Sequence, residues 1–112
     1  LELGEFSFME EIPPYDEHLL TKGAKAEISA IAHHLKQTRI LFADIEADAF
    51  SASRIKDVLF PYATEKGRSA VLWPLRVALS GKERSPDPFT LAELLGKEET
   101  TKRIEVGIAK IG

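Results

Sequence analysis

Apolar residues in this chain return every three or four positions, segment after segment. Ala24, Ile28, Ile31, Ala32 and Leu35 make one stripe within residues 24–41. Ile55, Val58, Leu59 and Tyr62 make a second within residues 53–66. Val71, Leu72, Leu75, Ala78 and Leu79 make a third within 69–80, the most apolar stretch. Ile104, Ile108 and Ile111 mark a fourth within 97–111. A period near 3.6 is that of a helix with one buried face. Strand-like alternation is confined to residues 3–8. The pattern predicts an all-α fold, a small helical domain of about five helices.

Punctuation between the stripes sets the boundaries. Ser51 or Ser53 is available as an N-cap for the second helix, Pro61 should kink it, and Gly67 should stop it. Pro74 in the third is either a first-turn residue or a kink, and Gly81 ends that helix. Residues 82–89 are a loop by composition. Thr90-Leu91-Ala92-Glu93 reads as a capping box, with Phe89 and Leu94 as its hydrophobic staple and Gly96 as the end of a short helix. Residues 43–50 read as a connection with a short helical turn. Pro13-Pro14 interrupts regular structure, so residues 1–22 are read as an irregular lead-in from a preceding subdomain, with Phe6, Phe8 and Tyr15 packing back. Residues 23–112 are then the helical domain itself.

At 112 residues this is one domain. It has no cysteine, which excludes disulfides and thiolate metal sites and is compatible with a reducing compartment. No apolar run approaches the roughly 20 residues of a membrane helix. The chain opens at Leu1, without methionine or a secretory leader, and reads as a fragment or processing product. The net charge of −3 argues against a strongly basic nucleic-acid binder. The charge is uneven, however: residues 1–60 hold 6 Lys/Arg against 11 Asp/Glu, and residues 61–112 hold 9 against 7. A polyanion would meet the second half.

Catalytic and metal motifs are missing from the sequence. His33-His34 are neighbours on a helix and point about 100° apart, a poor geometry for one ion. Asp44, Glu46 and Asp48 alternate like a cation loop but lack its glycine and terminal glutamate, so they read as solvated charge. No phosphate-binding loop, dinucleotide fingerprint or zinc-protease motif occurs. No catalytic residue, metal or cofactor is assigned to this chain.

Arg76 is the positional oddity. It lies at the edge of the most apolar helix, which runs through Gly81 into a loop holding Lys82, Arg84, Ser85 and Pro86. Such an arginine can contact a phosphate or stack on a base, and a nearby serine can read a base edge. It can equally cap a helix end or pair with a glutamate. Trp73 sits off the main stripe, which points either to a partner beyond the helix or to packing on the lead-in.

Pro74-Leu75-Arg76-Val77-Ala78-Leu79-Ser80-Gly81, then Ser85-Pro86, then Leu94-Leu95-Gly96-Lys97-Glu98, then Arg103-Ile104 closely resembles the C-terminus of bacterial glutamyl-tRNA synthetases. Order and spacing agree over residues 71–112, and residues 5–70 fit in outline. The resemblance implies an anticodon-binding domain of the α-helix cage type. It implies a parent ligase that joins glutamate to its tRNA with ATP and Mg²⁺, using catalytic motifs this chain lacks. The chain alone would then be catalytically silent. Its partners would be a glutamate-accepting tRNA and the rest of the parent, with no membrane role, in a cytoplasmic monomer. The resemblance places Arg76 at the anticodon, with Ser85, Pro86 and Pro88 near its bases and Lys82 and Arg84 as further RNA contacts. Asp87 and Pro88 stand where the family often has a small and an apolar residue. The competing class is a helical protein-docking module without an RNA role, built around Trp73.

Overall fold

The computed structural model describes residues 14–24 and 26–112. The strand candidate at 3–8, with Phe6 and Phe8, lies outside them. Five α-helices follow in order, with no strand among the described residues. They are α1 (Glu17–Lys22), α2 (Ile28–Ala43), α3 (Ala52–Lys66), α4 (Arg68–Ser80) and α5 (Pro88–Ile111).

The all-α reading holds, but the stretch read as irregular contains α1. Asp16 caps it by accepting from His18 N at 2.8 Å, Glu17 opens it and Lys22 closes it. Six residues cannot sustain a helix in water. Tertiary contacts hold this one: Leu20 is fully buried in a cluster with Val77 and Ala78. Tyr15, just before it, packs under Lys110, whose Nζ lies 4.5 Å from the ring centre and donates to Tyr15 O.

α2 begins at Ile28 rather than near Ala24, because the chain turns at Gly23 and Ala24 first. Ala24 is still buried, but from that turn, and Ile28 is exposed. The working stripe is Ile31, Leu35, Thr38 and Phe42. A 3-10 turn at Ala47–Ala49 follows, with Ile45 and Phe50 buried beside it. Asp44, Glu46 and Asp48 face solvent. α3 starts at Ser51, whose hydroxyl accepts from Arg54 N, and buries Ile55, Leu59 and Ala63. Pro61 and Asp57, whose helical bond the proline removes, are both exposed, so water can satisfy the freed carbonyl.

α4 is the central helix and packs against all four others. Pro74 lies in its interior, not in its first turn. Both sides are covered: Leu75 and Leu79 face the main core, while Val77 is buried under α1. Gly81 ends it in the left-handed conformation, φ 69°.

α5 departs from the sequence reading at its start. Asp87, not Thr90, is the N-cap: Asp87 Oδ1 accepts from Thr90 N at 2.9 Å, and Pro88 takes the first turn, where its missing N–H costs nothing. Glu93 does not reach back to close a box. Its Oε1 accepts from Ala52 N and caps α3 instead. Leu94 is exposed and staples nothing, while Phe89 meets the edge of Phe60. Gly96 does break the helix, at φ 85° and ψ 164°. The second half of α5 runs antiparallel to α2, with Arg39 facing Glu105 and Lys97 Nζ donating to Ala43 O.

Candidate nucleic-acid interface

Ser69, Leu72, Trp73 and Arg76 recur at i, i+3, i+4 and i+7 along α4, a second stripe beside its buried one. Together with Arg68 they line a cleft of about 300 Å³. Gly23, from the turn after α1, and Asp87-Pro88, from the start of α5, complete the lining. The cleft therefore combines an indole, two guanidinium groups and a hydroxyl, on a helix fixed from both sides. Flat apolar surface beside cations is what an unpaired base needs.

Arg76 is half-buried and held from two directions. Its guanidinium carbon lies 5.1 Å from the centre of the Trp73 ring, and its Nη2 donates to Glu83 O at 3.0 Å. Its Nε is buried without a hydrogen-bond partner among the described residues. Glu83 is tied back to α1, since Lys22 Nζ donates to its Oε1 at 2.7 Å. That hydrogen bond, and then the lysine charge, hold the Glu83 carboxyl below its ordinary range. Arg68 is exposed and stacks over Phe60 at 4.9 Å.

Trp73 donates its indole N–H to Leu19 O at 2.8 Å. Of the two sequence readings of this residue, packing on the segment ahead of the domain is the one observed.

The loop after α4 is anchored at both ends. Ser80 Oγ accepts from Lys82 N and donates to Arg76 O. Leu79 O accepts from Nη1 of Arg103, a fully buried arginine also bonded to Glu99. At the far end Asp87 caps α5. Burial raises the Asp87 carboxyl, but hydrogen bonds from Thr90 and from the Phe89 backbone outweigh it and leave the group below its usual range. The acid is thus engaged by its own helix. Arg76 and Pro88 share the cleft, Pro88 as a buried wall. Ser85, whose Oγ donates to Pro86 O, and exposed Pro86 and Arg84 belong to the adjoining loop rather than the cleft lining.

Sequence reasoning missed Arg68, Ser69, Leu72 and Gly23. The i, i+3, i+4, i+7 spacing could have found Ser69 and Leu72. Gly23 is brought in only by the packing of α1. Among the described residues no group of three or more His, Asp or Glu side chains is placed to hold a metal ion. Among them, too, no helix is long and apolar enough to cross a membrane.

Residues 2–108 match the family model described as "Anticodon binding domain". The chain is 34% identical over 108 residues to the glutamate–tRNA ligase of Clostridium acetobutylicum, covering 93% of this chain and 22% of that protein. It is 33% identical to the same enzyme of Lachnoclostridium phytofermentans, covering 99% of this chain and 23% of the relative. A crystal structure of a glutamate tRNA ligase from Elizabethkingia meningosepticum in complex with its amino acid superposes with a TM-score of 0.79. That match is 27% identical and covers 97% of this chain and 21% of the other. The chain spans about a fifth of the length of these relatives.

Proposed function

Because the chain belongs to the anticodon binding domain family, we propose that it reads the anticodon of a glutamate-accepting tRNA for a parent glutamate–tRNA ligase. One observation carries this reading: Trp73, Arg76, Arg68 and Ser69 line a single cleft on α4, next to the loop that holds Ser85 and Pro86. An unstacked base has a flat face for the guanidinium of Arg76, which the indole backs, and an edge for the hydroxyl and N–H groups. The ATP and Mg²⁺ of the ligase reaction belong to the parent beyond this chain, and no residue here is assigned to them. In this reading the domain works as a monomer in the cytoplasm, and the rest of the parent grips the tRNA backbone. That division of labour lets an acidic domain bind RNA.

Arg76 supplies the test. A guanidinium stacks and donates at once, whereas a lysine ammonium is a point charge. Arg76→Ala and Arg76→Lys should each weaken binding of a stem-loop RNA with a glutamate anticodon by about tenfold, the equivalent of one stacked base. Neither change should affect the same stem-loop with its anticodon bases replaced, because the contact is already gone. Equal weakening of both RNAs would make Arg76 a backbone contact and overturn the reading.

A further inference from the structure

Gly23 stands where no other residue fits. Its φ is −105°, a conformation open to any residue, so backbone freedom is not the reason. The reason is close approach. A Cβ at this position would fall 2.6 Å from Trp73 Cδ2 and Cε3 and 2.8 Å from Cε2. These are carbons of a rigid fused ring that is itself tethered, since its N–H is bonded to Leu19 O. The stretch from Leu19 to Gly23 therefore holds the indole by its edge and by its face.

The same stretch reaches Arg76 by a second route. Lys22, the neighbour of Gly23, is bonded to the Glu83 carboxylate, and the Glu83 carbonyl accepts from Arg76 Nη2. Ring and carbonyl both orient the guanidinium; the ring is held by α1 and its closing glycine, and the carbonyl's residue is linked to α1 through Lys22.

We propose that Gly23 and Trp73 are positioning residues for Arg76: the glycine admits the indole, and the indole aims the guanidinium at the cleft. The proposal rests on the anticodon-reading role given to Arg76 above. A side chain at position 23 displaces the ring, and the ring displaces the guanidinium. Affinity for the correct anticodon then falls, while contacts to phosphates, which need no such aim, persist.

Binding of the glutamate-anticodon stem-loop is measured for Gly23→Ala, Trp73→Phe and Arg76→Ala, and for each of the first two combined with Arg76→Ala. Helical circular dichroism monitors folding. Trp73→Phe removes the bond to Leu19 without adding atoms, so it carries the test if Gly23→Ala fails to fold. Each of the two positioning variants should weaken binding about fivefold or more alone, and less than about twofold once Arg76 is alanine, as coupled residues do. Penalties that multiply in the Arg76→Ala background, or wild-type binding by both positioning variants, overturn this proposal and leave the cleft assignment standing. Wild-type binding by Arg76→Ala alone overturns the cleft assignment itself, and this proposal with it.

Discussion

An acid lining the cleft proposed to read RNA looks misplaced by charge alone, and Asp87 is such an acid. Its carboxylate accepts from the Thr90 backbone and the Thr90 hydroxyl, at 2.9 and 2.8 Å, so the charge serves the first turn of α5. A negative cap is also favoured by the helix dipole. By local pattern Thr90 is a cap, because Thr-x-x-Glu matches a capping box. Asp-Pro three residues earlier matches an equally good start, and local pattern alone does not choose between them. The choice is made at a distance, where Glu93 is drawn to Ala52 N. Asp87→Ala should cost about 1 kcal/mol, the usual value for a lost cap. That corresponds to a fall of roughly 4 °C in the thermal midpoint of a domain of this size. Asp87→Asn keeps an acceptor and should cost little. Calorimetry on both variants checks this, and an unchanged midpoint in Asp87→Ala would contradict the assignment of the cap.

Elements legible in the sequence are those whose ends and burial are settled locally. α3 has its serine cap, its apolar stripe and Gly67 in order, and α4 ends at Gly81 as its pattern requires. α1 was hidden because a six-residue helix exists only through Leu20, Leu19 and their partners on α4. The α2–α3 junction shows what a pairing of elements adds. His34, buried on α2, lies with its Nδ1 2.8 Å from the Tyr62 hydroxyl of α3. Burial, then the nearby charges of His33 and Lys66, hold the imidazole below its usual 6.5. The unfolded chain therefore takes up a proton before the folded one does. The stability that His34 contributes is full above about pH 6.5 and declines as pH falls through the lower folded-state value. Denaturant midpoints should drop between neutral and mildly acidic pH, and His34→Gln should flatten that slope. A slope unchanged by the substitution would contradict the assignment to His34.

For the molecule as a whole, the cleft was only half legible. Arg76 could be singled out because an arginine beside an apolar stripe is conspicuous in one dimension. The walls opposite come from residues 23 and 87–88, which no local spacing joins to residue 76. The net charge of −3 is compatible with the proposed role for a physical reason. A site that stacks and hydrogen-bonds a few bases needs two or three well-placed cations, not an excess over 112 residues. Trp73 is the single tryptophan of the chain, and it lies inside this cleft. Its emission therefore reports on the proposed site alone. Titration with the glutamate-anticodon stem-loop should change Trp73 fluorescence saturably, with a midpoint that weakens as salt rises. A stem-loop with replaced anticodon bases should leave the emission nearly unchanged. RNA binding that leaves Trp73 fluorescence untouched, or that alters it identically for both RNAs, would contradict the account.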